Sequence, residues 1–451
     1  MSKIASIIVE AFYLWYINHM NKERFIDDIL NELVKSGSIF EQGEELSFKN
    51  EMMDITNKDR SLSEVLGGIA SDIEEYTKVF LSKKNEFYMP FISGISTMVY
   101  IPDYNGLGSY KYKIIGGTKD RNKVDEIDEN TLFDVASITK LFSLILIFKF
   151  EELGLLNLNT PIKDLNPDIQ NLEDYTINDL LRLCGELRTD GNVATASSYE
   201  EAYERLKTVY LESNDRTKGK YTDFGALVIG DTIEKVISNY LGKEMKYDEI
   251  MNEYLFKPLL INNSTFTPSI INITGNTLND GLPHDPKSRN LLGKTAHAGL
   301  FTNSEDISKL ADGLFDKGYL NQEHINRLGE TTFEGFPKGN LGVFLKQKDW
   351  TGTYTPPYFS DGSFSHQGYT GGIVAFDPNN KIHNNILVNA IADAPKEELF
   401  NCKPLGFKSA FNAYQSEIAK RIMLMYVAKK YYNKYCDVKE DISETKLIHT
   451  L

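Results

Sequence analysis

A serine and a lysine three residues apart, Ser137 and Lys140, open the apolar run SITKLFSLILIFKFEEL at 137–153. A serine hydroxyl is a weak nucleophile and needs a base within hydrogen-bond reach. Positions i and i+3 of a helix share one face, so the two side chains are expected to point the same way. The start of that helix would give Ser137 free backbone N–H groups and the favourable end of the dipole. Burial of Lys140 in so apolar a helix would lower its pKa, and a neutral amine able to take a proton is the expectation. The competing reading is a helix-capping serine with a lysine that reaches the surface. The same spacing recurs at Ser443 and Lys446, in a polar tail with no apolar helix behind it.

Two further triplets follow in order: Tyr221-Thr222-Asp223, which opens a helix-like stretch, and His366-Gln367-Gly368, which precedes two strand-like segments. Other triplets of the first kind occur at Tyr16, Tyr319 and Tyr435, but only Tyr221 both sits between the other motifs and opens a helix. His297-Ala298-Gly299 competes with the second, but it precedes LFTNSEDISKL, a loop entering a helix with Ser304 as its cap. His366 is therefore preferred, and His297 and His284 are read as packing residues. With Ser-x-x-Lys ahead of them, these triplets resemble the serine β-lactamase and DD-peptidase superfamily, in its class C-like branch. The resemblance covers roughly residues 90–430. TLFDVASITKLF, EELGLLNLNTPIKDL, KYTDFGALVIGDTIEKV, HDPKSRNLLGKTAHAGLF and HQGYTGGIVAFDP carry it in the family's order.

The resemblance implies that Ser137 is the nucleophile. It also implies that Lys140 and Tyr221 share the handling of its proton, with the choice of base open between them. His366 would position the substrate. The backbone N–H groups of Ser137 and Tyr369, beside Gly368, would form an oxyanion hole, each donor worth roughly 3–4 kcal/mol. The expected reaction is acyl transfer through an acyl-enzyme on a D-amino-acid peptide or small ester, ahead of efficient β-lactam turnover. Two departures stand out. Asp223 replaces the family's usual Asn, and as an acceptor only it could pair with Lys140 and keep it charged. The segment DLLRLCGELR lacks the His-Thr-Ser-Gly common there. Both motivate an alternative, a protein that is acylated or binds peptides without turnover.

The elements that would position these residues are legible from periodicity. Residues 61–84 have helical spacing. GISTMVYI at 94–101 and YKYKIIGG at 110–117 flank a turn and predict a hairpin. Strand candidates return at 363–369, 372–378 and 383–393, and a long helix is predicted over 408–433. Strands early and late, with helices between, predict an α/β (α+β) two-part fold. Its antiparallel sheet is flanked by helices, and an all-helical subdomain lies beside it with the active site between. The expected parts are a helical N-terminal extension at 1–58 and a sheet domain from 59–130 and 290–435. A mostly helical subdomain at 131–289 and a polar, mobile tail at 436–451 complete it. The extension is alternatively an interaction module.

Bulk properties agree with a soluble enzyme. The chain has 451 residues, 41% hydrophobic and 25% charged, with net charge -15. Such a charge disfavours nucleic acid and anionic membrane as partners and leaves a small molecule or peptide as substrate. Cys184, Cys402 and Cys436 have neither disulfide-framework nor zinc spacing, and the scattered histidines form no metal set, so no cofactor or metal is expected. Residues 4–17 are apolar but interrupted by Glu10 and followed by no cleavage-site pattern. An amphipathic helix is expected there, and a cytoplasmic location.

Overall fold

The computed structural model describes residues 24, 26–28, 30–35, 44–56, 61–82, 92–102, 109–119, 125–213, 215–273, 281–334, 336–346, 355–356, 358–390, 405–435 and 445–448. The apolar stretch at 4–17 lies outside them. Among the described residues no helix is long and apolar enough to cross a membrane.

The central sheet has seven strands: β1 (Gly94–Ile101), β2 (Tyr110–Gly117), β3 (Phe344–Leu345), β4 (Phe364–Gln367), β5 (Ile373–Asp377), β6 (Ile382–Val388) and β7 (Thr445–Ile448). Their order is β7-β2-β1-β6-β5-β4-β3. The six strands from β2 to β3 are antiparallel, so early and late strands meet at the β1–β6 pair, as the sequence order predicts. The seventh differs. The tail read as mobile contains β7, which runs parallel to β2 with Thr445 opposite Lys111. An unpaired β2 edge offers a row of N–H and C=O groups, and a polar strand satisfies them as well as an apolar one.

Period-2 alternation sends each strand's residues to opposite layers. Ile373, Ala375, Ile382, Ile386 and Val388 face a layer made by α1 (Glu44–Thr56), α2 (Leu62–Ser82) and the closing helix α6 (Leu405–Tyr435). Ile26, Leu30, Leu33, Phe48 and Met52 of the N-terminal segment belong to this same core. Val374, Phe376 and Leu387 face the other way, into the larger core. There α5 (Ser304–Phe315) lies against β1 and β6, with Asn385 Nδ2 donating to the Ser304 carbonyl at 3.1 Å. The cap of α5 is Asn303, whose side chain accepts from the Asp306 N–H; Ser304, expected in that role, is the first helical residue and meets Ser96 Oγ at 2.7 Å. The helical part centres on α3 (Thr139–Glu152), buried on nearly every face as its composition predicts, with α4 (Phe224–Leu241) beside it. It also holds a short ribbon, Glu186–Arg188 paired with Tyr210–Ser213. Cys184 is buried in this part.

Candidate active site

The site is assembled where the sheet's β4 end meets the start of α3. Phe133–Asp134 pairs with Phe301–Thr302, and Val135 N–H donates to the Leu300 carbonyl at 3.2 Å. The chain then turns through Ala136, a non-glycine residue at φ +44°. This left-handed conformation costs an L-residue roughly 1–2 kcal/mol. Asp134 stabilises it: one carboxylate oxygen accepts the Ala136 N–H at 2.9 Å, the other the His284 N–H at 2.6 Å. Burial nevertheless pushes the Asp134 carboxyl up to about 6. A short 3₁₀ turn, Ala136–Ile138, leads into α3 and contains Ser137. Its first ladder bond is Ile138 N–H to the Val135 carbonyl, which leaves the Ser137 N–H ahead of the ladder.

Lys140 sits one turn on, its side chain fully buried. Its ammonium donates to Ser137 Oγ at 3.0 Å, Asp223 Oδ1 at 2.8 Å and the His297 carbonyl at 3.1 Å. An ammonium has three donors, and three acceptors receive them. Burial alone would lower the Lys140 pKa, but Tyr221 and Asp223 outweigh it and raise it above the ordinary lysine value. The expectation of a neutral amine is thus corrected, while the expected pairing with Asp223 is observed. Desolvation alone would make Asp223 harder to ionise. Lys140, His297 and Lys287 reverse that and hold it well below the usual carboxylate range. Asp223 is the residue before α4, yet its side chain makes no capping bond and serves the two lysines instead.

Tyr221 closes the other side. The Lys140 ammonium lies 5.2 Å from its ring centroid and that of Lys338 3.9 Å. Gly342, at φ +84°, passes so close that a Cβ there would be 2.2 Å from Tyr221 Cε2. The 179–187 segment lies behind this wall: the Lys220 N–H donates to the Leu183 carbonyl at 2.9 Å, and Cys184 bridges Gly219. Backbone contacts thus tie it to the stretch leading to Tyr221.

His366 lies on β4, second from the sheet edge, and is buried. Nδ1 is 3.1 Å from the Gln367 carbonyl and Nε2 3.4 Å from that of Leu341. Burial, with Lys140 and Lys338 adding to it, pushes its pKa down to about 3. The ring is therefore neutral and braces the 341–344 turn, where the sequence reading had it facing substrate. Gly368 fits against the turn that holds Ser137: a Cβ would come within 2.4 Å of the Val135 carbonyl. Tyr369 follows, half-exposed, its ring stacked on His284 at 5.3 Å. His284, read as a packing residue, thus lines the site's rim.

Ser137, Lys140, Tyr221, Asp223, Gly368 and Tyr369 thus surround one place. The sequence reading missed Asp134, Lys287, Lys338 and Gly342. Asp285, Lys287 and His297 lie within the HDPKSRNLLGKTAHAGLF stretch, so a signal for that group existed. Lys338 and Gly342 belong to no marked segment, and only the turn at 338–344 brings them to Tyr221.

A family model described as Beta-lactamase matches residues 103–398. The chain is 25% identical over 225 residues to an N-acetylmuramyl-L-alanine amidase of Bacillus subtilis (strain 168), covering 42% of this chain and 48% of that protein. It therefore spans about half the length of that relative. It is 24% identical over 311 residues to a putative D-alanyl-D-alanine carboxypeptidase of Salmonella agona (strain SL483), covering 58% and 69%. In fold it is similar to the D-amino acid amidase of Ochrobactrum anthropi SV3 (TM-score 0.56, 16% identity), covering 78% of this chain and 98% of that one.

Proposed function

The chain belongs to the Beta-lactamase family, and on that premise we propose that it is a serine hydrolase whose nucleophile is Ser137. The observation that carries this reading is the 3.0 Å contact between Lys140 Nζ and Ser137 Oγ at the mouth of a buried helix. Ser137 Oγ attacks the carbonyl carbon of an amide or ester, forming a tetrahedral adduct. The Ser137 proton leaves toward the Lys140–Tyr221 pair. Because Lys140 rests as an ammonium donating to Oγ, the Tyr221 phenolate is the favoured acceptor: the two ammoniums beside its ring offset its negative charge before the step, and it becomes the neutral phenol on taking the proton. The N–H groups of Ser137 and Tyr369 receive the oxyanion. The amine or alcohol departs with the proton, and water releases the acyl group from Ser137.

D-amino-acid peptides, D-amino-acid amides and small esters are the favoured substrates, because the similar proteins named above include a D-alanyl-D-alanine carboxypeptidase and a D-amino acid amidase. The neutral His366 supplies no cation at the third motif, which ranks amides and esters ahead of peptides with a free terminal carboxylate within that group. A second reading, acylation without efficient turnover, draws on the fully coordinated Lys140, since release of the acyl group needs a base a second time. Hydrolysis of nitrocefin, D-alanyl-D-alanine peptides, D-amino-acid anilides and p-nitrophenyl esters, with Ser137→Ala as control, tests both. Turnover abolished by Ser137→Ala supports the hydrolase. Stoichiometric fluorophosphonate labelling without turnover supports the second reading. No Ser137-dependent labelling refutes both.

A further inference from the structure

The charges around Lys140 extend one group further than the proposed chemistry uses. Asp223 offers its second oxygen to Lys287 Nζ at 3.0 Å. The Lys287 ammonium is 3.8 Å from Asp285 Oδ2, and Asp285 Oδ1 is 2.9 Å from His297 Nε2. Lysine, carboxylate, lysine, carboxylate and imidazole therefore alternate away from Ser137. Ligand atoms of Asp223, Asp285 and His297 lie within 4.8 Å of one another, a spacing that suits a metal ion. The Lys287 ammonium already approaches both carboxylates, so the chain supplies positive charge there itself.

We propose that Lys287 is a charge-balancing positioning residue for the nucleophile: it neutralises Asp223, so that the Lys140 ammonium keeps its positive charge toward Ser137 and Tyr221. A neutral Asn in place of Asp223 would leave Lys140 with its full unit of charge. Asp223 alone would cancel that unit. Lys287 restores it, lying closer to Asp223 at 3.0 Å than to Asp285 at 3.8 Å. The position of Lys287 is fixed locally: it lies in the short helix Pro286–Asn290, capped by the Asp285 side chain, which accepts the Ser288 N–H at 2.8 Å. The electrostatics agree. Burial alone would lower the Lys287 pKa, Asp223 and Asp285 raise it instead, and Lys140 opposes them, so the two lysines sense each other across the shared carboxylate.

This inference rests on the reading of Ser137 as nucleophile, and a double-mutant cycle separates the two. The readout is the second-order rate of Ser137 labelling by a fluorophosphonate, in which the Oγ–P bond forms, P–F breaks and the hydroxyl proton is lost. Lys287→Met should slow labelling about tenfold, and Lys287→Arg should stay within about threefold of the unmodified chain. In the Asp223→Asn background, where Lys140 no longer faces a carboxylate that needs neutralising, Lys287→Met should change the rate less than about threefold. An equal fall in both backgrounds, or failure of Lys287→Arg to rescue, would make Lys287 merely structural and overturn the proposal. No fall on Lys287→Met alone would overturn it as well. An unmodified chain that does not label, or a Ser137→Ala chain that labels equally fast, would instead sink the nucleophile reading itself.

Discussion

Gly342→Ala probes the Tyr221 wall without touching a titrating group. A Cβ at Gly342 would lie 2.2 Å from Tyr221 Cε2 and 2.5 Å from Cδ2. Ordinary carbon contacts need about 3.5–4.0 Å, so the ring or the 338–344 turn must give by more than ~1 Å. The φ of +84° adds a left-handed penalty of roughly 1–2 kcal/mol. Overpacking adds about 1–3 kcal/mol, for a total of about 2–5 kcal/mol. Relief is hard to find, because Gly342 N–H and Val343 N–H are tied to the Gly339 and Asn340 carbonyls at 3.1 and 3.2 Å. The ring would have to move relative to Lys140 and Lys338. A misplacement of ~1 Å costs a catalytic site about 10²-fold. Urea unfolding and Ser137 labelling by fluorophosphonate measure the two effects separately. A variant with unchanged unfolding midpoint and a labelling rate within about threefold would refute the argument that Gly342 fixes Tyr221.

Two further outcomes are expected. Lys140→Met leaves Asp223 with Lys287 alone beside the buried end of α3, and loss of one partner from a buried pair should cost about 3 kcal/mol in urea unfolding as well as Ser137 labelling; an unchanged midpoint would argue against a buried ion pair. Asp134 gives a pH signature. Its folded carboxyl is pushed up to about 6, above the ~3.9 of an unfolded aspartate, so its stabilising contribution is complete below pH ~4 and lost as pH rises through about 6, by up to about 3 kcal/mol. Asp134→Asn should flatten that limb of the stability profile, leaving what Glu234, pushed up to about 7, contributes; an unaltered slope would clear Asp134 of the effect.

That Ser137 and Lys140 share a face was legible from spacing, because helical geometry puts i and i+3 on one side; that they form the working pair was legible only with the Tyr221 and His366 triplets beside them. The strands were legible for a similar reason: alternation specifies two faces, and β1, β2, β5 and β6 each bury both. What spacing does not carry is environment. The charge on Lys140 depends on Tyr221 and on Asp223, the latter 83 positions away. An apolar helix predicts desolvation, and a nearby carboxylate reverses its consequence. His366 shows the converse: its place in a motif suggested contact with substrate, whereas its buried ring nitrogens lie against two backbone carbonyls, of which a neutral ring can donate to one. Lys338 and Gly342 carry no local mark and Lys287 only a place in a marked stretch, since their roles exist only after the 285–297 and 338–344 segments close on the start of α3. The sequence by itself determined which side chains share a helix face or a strand face. Only the tertiary structure decided which of them are charged and which meet, because Coulomb and contact energies depend on distances through space that the chain's own periodicities do not set.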